Sequence, residues 1–316
     1  MRFFIFLIIM SGFAGKVFSQ DTAKKFLSTS LEFNNKRYVS VVGFQAAAYT
    51  GTLAWLSGEW YKNYPHSSFH FFNDDNEWLQ MDKAGHMLTS YYLARMGIDM
   101  MEWSGANQKK NILFGGAMGF AFLGTVEILD GFSSEWGFSW GDFSANTIGA
   151  GLIIGQKFLL NKKNKTNFSR GIAGMSLKFS FSQTIYPPYR PSELGNNLRE
   201  QWLKDYNGQS YWMSFNISSF MKEETKFPHW LNLAFGYGAE GMTGGSSNPP
   251  YLDSNGNPVV FERYRQYYLS LDIDLTRIKT RSHFLKTIFE TISFIKIPAP
   301  ALELNKHGVK FHSLYY

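Results

Sequence analysis

Hydrophobic and polar positions divide the chain into a helical first half and a β-rich second half. Apolar residues recur at helical spacing over residues 80–103 and 142–160, and an uncharged apolar run covers residues 111–126. A further stretch without charge, residues 38–58, is long enough to cross a bilayer as a helix. The pattern predicts a membrane-type helical bundle over residues 20–160.

Beyond residue 168 the period changes from helical to two. Met175, Leu177, Phe179 and Phe181 alternate with polar residues. We expect these four on one face of a strand, and Lys178 facing water or a polar interior. Further candidate strands lie at 211–218, 231–239, 267–276, 301–304 and 309–315, a short helix at 283–294, and a long exposed loop at 242–258.

The predicted fold class is therefore α+β, with a linker at residues 161–170 joining the helical bundle to antiparallel strands over residues 171–316. A sheet and a small irregular barrel both stay open, because six strands are fewer than the ~8 of the smallest bacterial outer-membrane barrels. The last two residues of the sequence are Tyr315 and Tyr316. A terminal strand ending on an aromatic residue resembles the assembly signal of such barrels, although any β domain can end in tyrosine.

Small residues recur at four-residue spacing on the two apolar helices. The pairs are Gly115 with Gly119, Ala117 with Ala121, Ala145 with Gly149, and Gly151 with Gly155. Lipid gives apolar helices no reason to associate, so small residues that let backbones approach are a common way of packing them. The spacing favours a close-packed membrane-type bundle, with glycine packing in soluble helices as the alternative.

The first 19 residues are predicted to be a secretory signal peptide. Arg2 precedes an apolar run at residues 3–13, and Val17 and Ser19 fit the small-residue pattern of a cleavage site. The run is about half of the ~20 residues that a spanning helix needs, and an uncleaved anchor is the alternative. Removing Arg2 and Lys16 lowers the net charge of +6 by two, to +4. We expect an exported protein, in the outer membrane or at the periplasmic face of a membrane.

Composition narrows the possible chemistry. Aromatic and charged residues each make up 18% of the chain, whereas soluble domains average ~25% charged residues, so a membrane or an aromatic-rich β-structure is favoured. The surplus of 31 basic over 25 acidic residues is small and scattered, so nucleic acid is not expected as a partner. The absence of cysteine removes disulfides, thiolate metal sites, cysteine nucleophiles and the acylated cysteine of a bacterial lipoprotein.

Candidate chemistry lies between residues 82 and 146. Asp82 and His86 share one face of a predicted helix, four residues apart. Glu127 ends an apolar helix, where an ionised group is costly unless it is paired. Its candidate partners are His86, Lys83 and Arg95. The full set of candidate catalytic residues is Asp82, Lys83, His86, Glu127, Asp130 and Asp142, and the candidate binding residues are Arg95, Trp136, Ser139, Trp140 and Asn146.

Each member of this set also has an ordinary structural interpretation. Ser139, three residues before Asp142, fits a helix N-cap, and Asp82 near a helix start fits the helix dipole. Metal binding by His86, Glu127 and Asp130 is an alternative, but no segment has the spacing of a zinc site, so neither a metal ion nor a cofactor is expected. We nevertheless expect Asp82, His86, Glu127 and Asp142 to converge, with His86 within ~6 Å of an acid, because separate burial of such groups is costly.

These residues resemble the YfiM-like family of predicted envelope lipoproteins, a domain of unknown function. The resemblance rests on Asp82–Lys83–Ala84–Gly85–His86, the later acids, and the block from Trp136 to Asp142 followed by Asn146 and Gly149. It covers residues 69–156, and a weaker likeness extends to VanZ-like membrane proteins. The strands after residue 168 resemble longer, Bacteroidetes-type members. Without the lipoprotein cysteine, membrane attachment is expected to come from the chain's own helices or strands.

Three functions stay open. The first is a membrane-level enzyme acting on an envelope lipid or glycolipid, with His86 as general acid or base, Asp82 orienting it and Glu127 as a second acid–base group. The second is a non-enzymatic structural or assembly role in the outer membrane, with outer-membrane proteins as further candidate partners. The third is an amphiphile-binding module. A polar cluster that opens to a cleft favours catalysis, whereas one sealed between helices favours a structural role, which is the interpretation preferred here.

Overall fold

The computed structural model describes residues 28–59, 65–162, 165–221, 226–253 and 255–315. The predicted signal peptide lies outside these residues. The helices are α1 (Asn35–Glu59), α2 (Met81–Trp103), α3 (Gln108–Asp130), α4 (Trp140–Leu160), α5 (Asn167–Ala173), α6 (Pro191–Leu194), α7 (Leu198–Lys204) and α8 (His283–Thr291). The strands are β1 (Ser176–Phe181), β2 (Gln209–Asn216), β3 (Leu231–Glu240), β4 (Tyr251–Leu252), β5 (Pro258–Val259), β6 (Tyr264–Ile273), β7 (Ala299–Asn305) and β8 (Gly308–Tyr315). The predicted α+β class, helices first and antiparallel strands second, is confirmed.

Contacts divide the chain into two compact units. Among the described residues, a helical unit lies within Asp21–Asp75 and Lys83–Lys165, and the β unit comprises Asn76–Asp82 and lies otherwise within Thr166–Tyr316. The first two residues of α2 thus belong with the β unit. The candidate residues from Lys83 to Asn146 belong to the helical unit.

Glycines bring the helices of the first unit into backbone contact. A Cβ atom on Gly97 of α2 would lie 2.2 Å from the Gly115 carbonyl oxygen of α3, and one on Gly149 of α4 would lie 2.2 Å from the Met87 carbonyl oxygen. Small residues therefore pack α2 against both neighbours, as their spacing predicts. The pair Gly151 and Gly155 is an exception, because a Cβ on either would meet nothing within 4 Å.

One helix of the described residues, α3, is long and apolar enough to cross a membrane, with a mean hydropathy of 1.8 and half of the qualifying window buried. It contains a π-helical turn at Asn111–Gly115. The uncharged stretch in α1 is helical, but α1 does not reach the same hydropathy. The support for a membrane span at α3 is limited to its length and composition.

The strands of the β unit form an antiparallel sheet of six, in the order β1-β2-β3-β6-β7-β8, and β4 pairs with β5 in a separate hairpin. The prediction of an exposed loop over residues 242–258 is wrong at its start. Met242 is fully buried against Met81 and Ala239, and its backbone N–H donates to Asn207 Oδ1 over 2.7 Å. A polar-looking composition concealed this anchor, since the buried contacts come from distant residues.

A left-handed turn precedes α2. Trp78, Leu79 and Gln80 have φ values of 47°, 51° and 64°, a conformation that costs L-residues of order 1–3 kcal/mol each unless surrounding contacts enforce it. The Trp78 N–H donates to the Gly245 carbonyl over 2.8 Å, and Arg265 donates to Gln80 Oε1 over 2.6 Å. Contacts within the β unit therefore hold the chain at the entry to α2.

Candidate functional site

The helical unit contains a buried ion network centred on Lys83, in the first turn of α2. Its ammonium nitrogen lies 2.7 Å from Asp74 Oδ2 and 2.8 Å from Asp142 Oδ1. The three side chains are 13%, 15% and 7% exposed. One cation is thus shared by a loop carboxylate and a helix carboxylate, both largely removed from water.

Ser139 connects this network to the start of α4. Its hydroxyl oxygen accepts the Asp142 backbone N–H over 3.1 Å, which makes it the N-cap of α4. The same hydroxyl donates to Asp74 Oδ1 over 2.5 Å. The capping expected from the Ser139–Asp142 spacing is confirmed, and the cap also ties the Asp74 loop to the helix.

The electrostatics of Asp74 follow from these contacts. Burial by itself raises the pKa of this carboxyl, but hydrogen bonds from Lys83 and Ser139 and the charge of Lys83 outweigh that effect and bring the pKa below its usual value. The folded state therefore favours the ionised carboxylate.

His86 lies one turn along α2 from Lys83 and contacts the other two helices. Its Nδ1 is 3.2 Å from Asn146 Oδ1 of α4 and 3.6 Å from Glu127 Oε1 of α3. Its Nε2 is 3.9 Å from Asp142 Oδ1. The structure therefore brings His86, Glu127 and Asp142 together, within the ~6 Å expected.

Burial differs sharply across this group. Glu127 is 2% exposed and Asn146 is fully buried, whereas the His86 side chain remains 22% exposed. The Ser90 hydroxyl donates to the Asn146 carbonyl over 2.6 Å. The Asn146 side-chain Nδ2, in contrast, has no hydrogen-bond partner within the described part of the chain. A buried donor without a partner calls for an explanation. Together with the partly exposed imidazole, it makes this the place in the cluster where a ligand could bind.

The remaining predicted site residues have further contacts of their own. Asp82 is grouped with the β unit, where the Tyr206 hydroxyl donates to its Oδ1 over 2.7 Å. Arg95 is 3.8 Å from Asp99 Oδ2 and about 13 Å along the helix axis from His86, at 1.5 Å per residue. Asp130 is half-buried at the end of α3, where its carbonyl accepts the Ser133 N–H over 3.0 Å.

Trp140 lies on an aromatic patch of the helical unit. Trp140 is 61% exposed and stacks on Phe71, with ring centroids 6.0 Å apart and planes at 11°. Trp136 is 36% exposed. Phe69 joins the patch through Phe71, at 5.3 Å. Exposed rings of this kind are typical of a membrane–water boundary or of another apolar contact.

Sequence reasoning missed Asp74 as a member of the network. The Asn73–Asp74–Asp75–Asn76 run predicts a turn, and nothing in it marks one acid as the partner of Lys83. The signal that could have found it is Lys83 itself, since a buried lysine next to a single carboxylate calls for further compensation. Gln156 was also missed; its Oε1 accepts the buried Tyr91 hydroxyl over 2.9 Å.

Chemically, the arrangement supports two things. It provides a compensated ion network that joins the residue 74 loop, α2 and α4, and an imidazole within reach of two carboxylates, as acid–base chemistry requires. It does not supply a thiol, because the chain has no cysteine.

Residues 70–157 match the model of a family described as predicted periplasmic lipoprotein (DUF2279), a domain of unknown function. The matched segment includes Asp74, Lys83, His86, Glu127 and Asp142, and it ends within α4. No curated protein and no solved structure matches the chain. The match supports export and a periplasmic, envelope-associated setting.

Proposed function

We propose that the chain is a non-enzymatic structural or assembly protein of the outer membrane, in which the Lys83 network fixes the register of the helices. The observation that carries this proposal is the closure of the network: Lys83 is held between Asp74 and Asp142 at 2.7 and 2.8 Å, with all three side chains at most 15% exposed. Groups so compensated are unavailable to a substrate. Breaking such a buried arrangement is costly, because it leaves uncompensated charge.

The proposal is tested by Lys83→Met, which removes the shared cation and leaves the two carboxylates facing each other. We expect a loss of about 3–5 kcal/mol in the free energy of unfolding, seen as less folded protein in the envelope and a lower melting temperature in detergent. Lys109→Met is the matched control, because Lys109 is exposed at the start of α3. Equal melting temperatures for the two variants would contradict a structural role for the network.

Outer-membrane residence is tested by density-gradient fractionation of cell envelopes. The protein should sediment with outer-membrane markers and resist release by high salt. Recovery in the inner-membrane or soluble periplasmic fraction would reject this part of the proposal.

An enzyme acting on an envelope lipid or glycolipid is the second candidate, favoured by one observation. His86 is 22% exposed, within 3.6 Å of Glu127 and 3.9 Å of Asp142, and Asn146 Nδ2, which has no hydrogen-bond partner among the described residues, lies beside it. An acceptor oxygen of a bound headgroup could satisfy that donor.

Glu127→Gln separates the two candidates, because it preserves the shape of the side chain and removes its negative charge. A structural role predicts lower abundance and a lower melting temperature. A catalytic role predicts normal abundance and melting together with the same envelope defect as the deletion strain. Normal abundance with a normal phenotype would reject both roles for this residue.

A further inference from the structure

One face of the six-stranded sheet buries mostly polar residues around a small cluster of Trp212, Ala234 and Tyr268, and the other face exposes apolar residues. The buried side chains on its concave face include Lys178, Ser180, Ser210, Ser214, Asn216, Asn232, Gln266, Ser270, Asp272 and Glu303. Soluble antiparallel sheets have the opposite pattern, with apolar residues on the core face. The period-two alternation of the strands thus places mostly polar side chains on the concave face and apolar side chains on the convex face.

The interior groups satisfy one another. Lys178 of β1 is 2.6 Å from Asp272 Oδ2 of β6, and the Ser214 hydroxyl of β2 donates to the same oxygen over 2.6 Å. Asn232 Nδ2 in turn donates to the Ser214 hydroxyl over 2.8 Å. A connected network of this kind lets polar groups be buried without a large free-energy penalty. The polar face can therefore form the interior of the sheet.

The sheet also curls strongly around this interior. Strands β2 and β8 are separated by three other strands, which in a flat sheet puts them about 19 Å apart at ~4.8 Å per strand. The Tyr315 and Ser210 hydroxyls are nevertheless 3.0 Å apart, and the Trp212 and Tyr315 ring centroids are 5.8 Å apart. The sheet is therefore strongly curved, with the polar groups on its concave side and its convex side facing outward.

Strand register aligns the convex residues in apolar rows. One row crosses all six strands, through Leu177, Met213, Phe235, Leu269, Leu302 and Phe311. All of its members except Leu177 are exposed, from 39% at Leu269 to 65% at Phe311. Such a continuous band is larger than the scattered apolar residues that soluble monomers expose.

The next row along the strands contains Tyr211, Tyr237 and Tyr267 side by side, followed by Leu304 and Val309. Tyr211 and Tyr237 pack against the cluster of Met81, Ala239 and Met242, whereas Tyr267 is 51% exposed. Arg265 lies one row further on β6. On β3 and β6 the apolar positions extend from the tyrosine row to the Leu231–Ile273 pair, about 20 Å at ~3.3 Å per residue. Tyr267 therefore lies at the edge of the exposed apolar band, a position that aromatic residues commonly take in membrane-embedded sheets.

We infer that the convex face from β2 to β8 lies in the hydrocarbon of a lipid bilayer, with the exposed Tyr267 side chain at one interface. Strands β3 and β6 have ten residues each, which is the ~9–11 that a tilted spanning strand needs. A protein partner is a poorer fit, because protein interfaces carry a hydrogen bond every ~100–200 Å², and the central row has no side chain that forms one. This inference rests on the proposed membrane residence and names the surface responsible for it.

The absence of cysteine allows a direct test, since each introduced thiol is the only one in the chain. Leu269→Cys and Phe311→Cys, in the central row, are labelled with an environment-sensitive nitrobenzoxadiazole dye in the full-length protein and reconstituted into phosphatidylcholine vesicles. Leu252→Cys is the matched control, because Leu252 is 61% exposed but lies in the β4–β5 hairpin, outside the sheet. We expect blue-shifted emission at 269 and 311, lost on brominating the acyl chains, and no such loss at 252.

The opposite pattern overturns the inference: labels at 269 and 311 that are quenched by aqueous iodide and unaffected by brominated lipid. Labels shielded from both quenchers in a dimeric protein would also overturn it, by showing that a second copy covers the face. As a check independent of labelling, Leu269→Asp should abolish vesicle association of the folded protein and Leu252→Asp should not.

These results are separable from the fate of the proposed function. If Lys83→Met melts like the control variant while the central row is lipid-quenched, the network role fails and the inference stands. If the protein sediments with the outer membrane but the central row is not quenched by lipid, the inference fails and residence in that membrane stands.

Discussion

Asp74 shows at the scale of a single residue how position changes chemistry. It is an ordinary loop acid in the sequence, yet its carboxylate accepts hydrogen bonds from Lys83 and Ser139. Burial opposes ionisation, but these partners outweigh it and the pKa falls. The residue therefore links stability to pH.

The pH dependence has a definite sign. The folded pKa of Asp74 lies below the usual aspartate value of 3.8, so as the pH falls toward and below 3.8 the unfolded chain takes up the proton first and the folded state is destabilised. The contribution is fully present at neutral pH. We expect the melting temperature of the wild type, measured in detergent, to fall more steeply than that of Asp74→Asn as the pH is lowered from about 5 to about 3. This is the range in which aspartate carboxyls take up protons. Parallel curves for the two proteins would show that Asp74 does not contribute.

At the scale of elements, glycines set how closely α2 and α4 pack. Gly149 presents its Cα to the α2 backbone, where an added Cβ would be 2.2 Å from the Met87 carbonyl oxygen. Backbone cannot move aside as a flexible side chain can. Close packing at this point requires glycine.

Two alanine variants of α4 test this contact. Gly149→Ala should destabilise the protein by about 1–3 kcal/mol through overpacking. Gly151→Ala, two residues along the same helix, meets nothing within 4 Å and should be neutral or stabilising by up to ~1 kcal/mol, since alanine favours helix. Chemical denaturation in detergent measures both, and equal effects of the two substitutions would argue against the close approach.

The polar interior of the sheet gives a second prediction at this scale. Lys178 and Asp272 are 2% and 0% exposed, so Asp272→Asn leaves a buried lysine without its counter-charge and should cost about 3–5 kcal/mol. Lys296 also depends on that carboxylate. Burial lowers the pKa of Lys296 to about 8, and the negative charge of Asp272 keeps it from falling further. Glu262→Gln is the control, because Glu262 pairs with Lys306 at the surface and is 72% exposed. A melting temperature of Asp272→Asn equal to that of the control would contradict the prediction.

At the scale of the whole molecule, export determines where the two units fold. The first 19 residues have a basic start, a short apolar run and small residues before Gln20. We expect the protein isolated from envelopes to begin at Gln20, as read by mass spectrometry of its N-terminal peptide. A membrane-bound protein that begins at Met1 would instead support the uncleaved anchor.

Much of the local structure was predictable because it depends on neighbouring residues. Helical periodicity located α2 and α4, and period-two alternation located all six strands of the sheet to within a few residues. The Ser139 cap follows from a three-residue spacing. The closeness of His86 to Glu127 was also predictable, since an acid in an apolar helix needs a partner and few were available.

Local patterns in the sequence therefore located α2, α4 and the six strands of the sheet, with their order and the two faces of each strand, but not α5 to α7 or the β4–β5 hairpin. Tertiary structure alone decided which face is the interior, because alternation of period two fits a polar inside as well as an apolar one, and only the curl that brings Tyr315 to Ser210 encloses the polar side. It also decided which acids share Lys83 and which glycines touch a backbone. Those choices depend on residues far apart in the chain meeting at distances of a few ångströms, and spacing along one segment carries no record of them.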